Sequence, residues 1–188
     1  VEAFTLRLAR LDEIPALEHL IAASARGLSR EDYSDTQIEA AIGSALGVDS
    51  ELIRDGTYFA VDAGAELVAC GGWSRRKTLF GGDKQAGRQS ERLDPARDAA
   101  RIRAFFVLPA WARRGIGRAL LDRCEAAARA EGFRRAELMA TLPGHKLYRA
   151  YGYEGDARIV HMLPGDIAIE FIPMGKDLPP ADPNRGPQ

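Results

Sequence analysis

Ile102-Arg103-Ala104-Phe105-Phe106-Val107-Leu108-Pro109-Ala110-Trp111-Ala112-Arg113-Arg114-Gly115-Ile116-Gly117-Arg118 is the stretch whose reading decides the fold of this chain. Apart from Arg103, residues 102–108 are apolar, β-branched or aromatic, as in a buried strand, and Pro109 ends the run. Beyond the loop the period changes to that of a helix. Ile116, Leu120, Cys124 and Ala127 fall at i, i+4, i+8 and i+11, with Leu121 and Ala128 widening the stripe. Strand, basic glycine loop and helix start together make an anion cradle. Backbone N–H groups and the positive end of the helix converge on one spot. Gly115 and Gly117 let a phosphate approach the backbone, and Arg113, Arg114 and Arg118 add charge.

Two nucleotide loops are excluded by their own spacing. A Walker loop needs Gly-Lys-Ser/Thr, but Gly117 precedes Arg118-Ala119. A dinucleotide fingerprint needs a third glycine or an alanine where Leu120 stands, and an acidic residue at a strand end roughly 20 residues later. Glu137 lies in the middle of the next strand instead.

Downstream, Gly132 stops the helix, Arg134–Thr141 reads as a strand, and Leu147-Tyr148-Arg149-Ala150-Tyr151-Gly152-Tyr153 as a short helix running into a turn. With Val107-Leu108-Pro109 at the first strand end and Ala112-Arg113-Arg114-Gly115-Ile116-Gly117 in the loop, residues 101–153 resemble the GNAT superfamily of N-acetyltransferases. Two positions depart from that pattern. Ala112 replaces the usual Gln or Arg, and Thr141 replaces an Asn.

The resemblance implies an α/β (α+β) fold: a mixed, largely antiparallel sheet flanked by helices, with a cleft between splayed strands that takes acetyl-CoA as cosubstrate. It implies a primary amine acceptor, on a small molecule or a protein, and direct transfer in a ternary complex. The cofactor-binding set is then Phe106 and Val107 (backbone to the pantetheine arm), the loop Ala112, Arg113, Arg114, Gly115, Ile116, Gly117 and Arg118, and Thr141. Tyr148 is the catalytic candidate, facing the departing sulfur. A phenol near pKa 10 stays protonated where a thiol near 8.5 ionises. For the base that takes the amine proton, Glu66, Asp94, Asp98 and a water relay all stand open. A non-catalytic acyl-CoA-binding or regulatory module is the alternative, but it has no use for Tyr148.

Working outward, 46% hydrophobic and 28% charged residues describe an ordinary globular chain, and its length suits one domain over 1–177. The proline-rich segment 178–188 has no periodicity and is expected to be disordered. A net charge of −1 gives no bulk attraction to nucleic acid or membrane. No apolar run approaches the roughly 18 residues of a span, and no leader pattern opens the sequence. Cys70 and Cys124 read as reduced core thiols of a cytoplasmic protein, and no Cys/His spacing suggests a metal site. A homodimer is the default expectation for a soluble enzyme.

Strands are expected at Phe4–Leu8, Thr57–Val61, Glu66–Trp73, Ala157–Met162 and Ile167–Met174. Helices are expected from Asp12, as N-cap, and from Ser34. The order is β-α-α-β-β-β-α-β-α-β-β. Glu125 and Arg129 are assigned to the solvated face of the long helix. Trp73, Phe105 and Phe106 read as core residues, with the wall of an apolar acceptor pocket as the alternative. Tyr151 and Tyr153 are assigned to the core, His145 and His161 to surface or satisfied positions, and His19 lies in the first helix with no partner assigned. Residues 74–100 are too long for a hairpin loop, and read as either a substrate-side lid or a mobile insertion.

Overall fold

A computed structural model describes residues 3–180. The chain runs β1 (Thr5–Leu8), α1 (Ile14–Leu28), α2 (Asp35–Ala41), α3 (Ser50–Arg54), β2 (Tyr58–Ala63), β3 (Glu66–Ser74), β4 (Ala100–Val107), α4 (Ile116–Ala130), β5 (Arg135–Thr141), α5 (His145–Ala150), β6 (Ile159–Leu163) and β7 (Ile167–Asp177). One seven-stranded sheet has the order β1-β2-β3-β4-β5-β7-β6. Every pair is antiparallel except β4–β5. The mixed, largely antiparallel sheet flanked by helices is the expected one. Leu178 is buried and its N–H donates to the Arg134 carbonyl, 2.7 Å away. Positions 181–188 of the expected tail lie outside the described residues. Among the described residues no helix is long and apolar enough to cross a membrane.

Period-2 alternation puts two cores on the two sheet faces. On one, the α4 stripe Ile116, Leu120, Leu121, Cys124 and Ala128 packs on Trp73, Ile102, Phe133 and Leu138. On the other, Leu17, Leu20 and Ile21 of α1, Ile38 of α2 and Leu52 of α3 pack on Tyr58, Ala60, Cys70 and Phe171. Both cysteines are free and buried.

Local chemistry explains the helix starts. Ser34 and Gln37 form a reciprocal capping box at α2, with N···O distances of 3.2 and 2.9 Å. At α1 the cap differs from expectation. Glu13 accepts the Arg10 N–H at 2.9 Å and a 3₁₀ turn over Leu11–Glu13 leads into the helix, while Asp12 pairs with the Arg10 side chain. The reason is length: a glutamate at the third helical position can fold back onto the cap amide, which Asp12 cannot reach. Helix α3 was not anticipated, because five residues are too few for a periodic stripe.

Gly27 of α1 lies against the end of β4. A Cβ there would fall 2.2 Å from Cγ of Pro109, a rigid ring that cannot swing aside. Gly27→Ala gains about 1 kcal/mol of helix propensity but overpacks this contact at a cost of about 1–3 kcal/mol. A net loss of about 1 kcal/mol is expected in urea unfolding; a stabilised variant would mean that α1 does not rest on Pro109.

Candidate active site

The ladder between β4 and β5 is two pairs long, Ala100 with Ala136 and Arg101 with Glu137. An Arg101–Glu137 ion pair closes that end. From there the strands separate. β5 keeps its full pairing with β7, and β4 its pairing with β3, so an open V lies between residues 102–107 and 138–141. This is the splayed cleft expected from the sequence.

β4 is distorted inside the V. Cys70 pairs with Phe106 and Gly72 with Arg103, so Gly71 alone opposes Ala104 and Phe105. Ala104 sits at φ +53°, a conformation that costs an L-residue about 1–2 kcal/mol. The buried Tyr58 phenol donates to the Ala104 carbonyl at 3.0 Å and holds the bulge. The bulge turns Phe105 onto the face of Gly71, where a Cβ would be 2.5 Å from the ring, and toward α4. Phe106 packs on the α1 face instead.

The mouth of the V carries the predicted cradle. Arg113 (φ +65°) and Gly115 (φ +86°) are both left-handed, and the turn they make aims the start of α4 at the cleft. The first α4 hydrogen bond runs from the Ala119 N–H to the Gly115 carbonyl, at 3.0 Å. The amides of Ile116, Gly117 and Arg118 therefore have no intrahelical acceptor. Gly115 faces open space. Gly117 has a different reason for lacking a side chain: its Cβ would lie 3.0 Å from Leu147 Cδ2 of α5. Ile116 is buried in the α4 core, so only its backbone belongs to the loop surface. Ala112 is half-buried in extended conformation just before the turn.

The arginines are arranged less uniformly than their clustering suggests. Arg114 lies over the Trp111 ring at 4.7 Å, whose Nε1–H donates to Glu66 at 3.3 Å. Arg118 lies 5.8 Å from the Tyr151 ring and 3.6 Å from Asp122. Arg113 is exposed. Thr141 Oγ1 accepts the Gly144 N–H at 3.3 Å and so shapes the turn into α5.

Tyr148 stands across the cleft mouth from the cradle. It is 8% exposed, with Phe105 of the bulge 6.2 Å to one side and Tyr153 5.8 Å to the other, centroid to centroid. Among the described residues its hydroxyl has no hydrogen-bond partner. Burial, chiefly, pushes its ionisation well above the ordinary phenol range. Val107 N–H, at the far end of β4, donates to Ser24 Oγ at 3.2 Å.

Several sequence assignments are corrected by position. Asp94 and Asp98 cap their own turn at the closed end of the V, where Asp98 accepts the Asp94 N–H at 2.7 Å. At about 3.3 Å per residue an ideal strand from Ala100 to Val107 spans about 23 Å, and their turn lies before its first residue. Neither reaches the cleft mouth. Glu66 lies beside Trp111, near the cradle. The segment 75–99 is tied to the rest of the domain by hydrogen bonds. Lys77, Thr78 and Leu93 N–H groups bond to Glu91, Gln89 and Arg75 carbonyls, and Gly82 and Asp83 N–H groups to Ser44 and Val48. At its centre Asp49 accepts from Arg103 (2.9 Å), Arg88 (2.7 Å) and the Glu51 N–H (3.0 Å), while Arg103 also donates to Thr78 and Gly81 carbonyls. Glu125 is buried rather than solvated. It accepts from Lys176 (2.8 Å), Arg129 (3.1 Å) and Tyr153 (3.1 Å), because β7 runs on to Asp177 and brings Lys176 underneath α4.

Other residues that sequence reasoning passed over complete the surroundings. Tyr33, after α1, donates to the Glu170 carbonyl at 2.6 Å and accepts the Leu142 N–H at 2.9 Å, and burial pushes its pKa up to about 12. Phe80, His161 and Phe171 form an aromatic cluster on the α1 face, with centroids 4.9–6.0 Å apart. His145 is satisfied by the Gly155 carbonyl and Asp156. A separate groove of about 420 Å³, lined by Phe59, Trp73, Arg75, Arg123 and Glu131, lies beside the C-terminal half of α4 and shares no residue with the cleft.

The sequence model of the acetyltransferase (GNAT) family matches residues 15–153. Solved structures with the same fold include a GCN5-related N-acetyltransferase from Rhodopseudomonas palustris (20% identity, TM-score 0.69, covering 93% of this chain and 95% of that one). The PaiA N-acetyltransferase from Thermoplasma acidophilum, in complex with coenzyme A, matches at 14% identity and TM-score 0.62 over 93% and 99% of the two chains. The ribosomal-protein-S18-alanine N-acetyltransferase from Escherichia coli matches at 16% identity and TM-score 0.57 over 98% and 99%. At these identities the likeness is one of fold. No curated protein sequence matches the chain.

Proposed function

Because this chain belongs to the acetyltransferase (GNAT) family, we propose that it moves an acetyl group from acetyl-CoA to a primary amine by direct transfer in a ternary complex. One observation carries the reading. A two-pair β4–β5 ladder opens a cleft whose mouth holds, on one side, the first α4 amides and, on the other, a tyrosine hydroxyl, none of which has a hydrogen-bond partner among the described residues.

Acetyl-CoA supplies the activated acetyl thioester. The residues at the cleft fit its parts. The amides of Ile116, Gly117 and Arg118, at the positive end of α4, bind the pyrophosphate, and Arg113 and Arg118 are near enough on the surface to add charge. The bulged β4 edge around Phe106 and Val107 takes the pantetheine arm as an added strand. Tyr148 holds its proton at Oη and offers it to the departing sulfur. Thr141 acts through the turn that carries α5, and Ala112 through its backbone.

Direct transfer is favoured because neither thiol can serve as a nucleophile. Cys70 and Cys124 are buried, and burial raises both pKa values, that of Cys70 to about 12. The same reduced, buried thiols suit a cytoplasmic protein. The acceptor approaches from the α1 face, where Tyr33 and the Phe80–His161–Phe171 cluster border the V; small-molecule and protein amines both remain within this reading.

Calorimetric titration with acetyl-CoA, NADH and ATP side by side tests the proposal. Selective acetyl-CoA binding supports it and opens an amine screen by thiol release; preference for either other nucleotide sinks it. A second expectation concerns the cradle. Gly117→Glu puts a carboxylate against the phosphates and bulk against Leu147, so acetyl-CoA affinity should fall at least about tenfold, the scale of one lost charge-assisted contact. Unchanged affinity would move the pyrophosphate elsewhere.

A further inference from the structure

We propose that Ser24 is a cofactor-arm residue: its hydroxyl takes the Val107 N–H and passes a hydrogen bond on to an amide oxygen of the pantetheine arm. This rests on the reading of the V as the acetyl-CoA cleft. That reading assigns the arm to the backbone of β4 itself and gives α1 no part in it.

The direction of the Val107 amide comes from its neighbour. Leu108 N–H points to β3, donating to the Val68 carbonyl at 2.9 Å. In an extended strand successive N–H groups point to opposite edges. The Val107 N–H therefore leaves the β3 side and points into the V, and there it meets Ser24 Oγ at 3.2 Å. The donor that an added strand would use at this position is already engaged by α1.

Ser24 sits in the apolar stripe of its helix, between Leu17, Leu20, Ile21 and Ala25, and is 5% exposed. A hydroxyl so placed ordinarily folds back onto the carbonyl one turn earlier. No such bond forms here. Among the described residues Ser24 Oγ has one partner, the Val107 N–H, and that bond uses one of its two lone pairs. Its own proton has no acceptor among the described residues. A buried donor left unpaired costs free energy, and the β4 edge at Val107 is the one that β5 leaves unpaired, so it faces the cleft. An oxygen of the arm at this position satisfies the hydroxyl and restores the link to Val107 through it. A hydrogen bond already accepted from an amide strengthens the one donated onward. Helix α1 is held in place for this by Gly27 on Pro109, so Ser24 cannot drift from the strand edge.

The test is calorimetric, with Ser24→Ala and two probes: acetyl-CoA, and adenosine 3′,5′-bisphosphate, which carries the nucleotide end without the arm. Alanine keeps the helix and the volume. Acetyl-CoA affinity should weaken about 5- to 10-fold, the size of one net hydrogen bond, while bisphosphate affinity stays unchanged. Equal or tighter acetyl-CoA binding would show the hydroxyl to be a placeholder the arm displaces, and overturns the proposal. Equal losses for both probes would mean that α1 has moved, and overturns it too. Failure of the wild-type protein to bind acetyl-CoA removes the functional reading and this inference together. Binding by the wild type with an unaffected variant removes the inference alone.

Discussion

Asp49→Ala is expected to lower the unfolding free energy by about 3–5 kcal/mol, the loss on removing one partner of a buried ion pair. Asp49 and Arg103 are 0% and 1% exposed at their side chains, and Arg88 is 19% exposed. Removing the carboxylate leaves the Arg103 guanidinium buried with only the Thr78 and Gly81 carbonyls to face. An arginine cannot escape this by losing its proton, although burial pulls its pKa down. The α3 cap on the Glu51 N–H goes as well. Urea unfolding monitored by circular dichroism reads the effect directly. A loss below about 1 kcal/mol would mean that water enters the site and solvates the arginine. The functional side of the variant follows from position. Arg103 precedes the β4 bulge, and the segment it anchors carries Phe80 onto Phe171 and His161. Loosening the segment should therefore disturb amine binding more than acetyl-CoA binding.

That triad also marks where the sequence stops being readable. The cradle was legible because its signals are local. Pro109 ends a strand, Gly115 needs a left-handed turn, and Ile116 begins a helical stripe, all within one short stretch. Arg103, Asp49 and Arg88 are far apart in sequence, and each looks like a surface charge until the fold brings them together. Glu125 misled for the same reason. Its place on the polar side of the α4 pattern says solvent, and only the register of β7, carrying Lys176 beneath it, says otherwise. The splay itself depended on family resemblance, since no local pattern records that a ladder stops after two pairs. The bulge at Ala104 was invisible because its residue is neither glycine nor asparagine. Its strained φ is held by a phenol from β2 and not by any local preference. Asp94 and Asp98 were plausible bases among the carboxylates, and the turn that they cap at the closed end of the V counts against them.

Tyr148→Phe is expected to lower turnover about 100-fold, at the lower end of what a positioned acid contributes, with acetyl-CoA affinity held within about twofold. The ring contacts to Phe105 and Tyr153 survive the change, so the variant loses one oxygen and little packing. That oxygen has no partner in the described protein, and its environment keeps it protonated: burial raises its pKa. A raised pKa makes Tyr148 a reluctant acid and a dependable donor. Its contribution is then a hydrogen bond to sulfur that strengthens as negative charge gathers there, an interaction made in the transition state and not in the bound ground state. Such an interaction appears in kcat and kcat/KM equally and leaves KM alone. A matching loss in acetyl-CoA affinity would instead make Tyr148 a wall of the arm channel. Turnover equal to wild type would remove it from the chemistry, and the family fold would then be serving as a binding module.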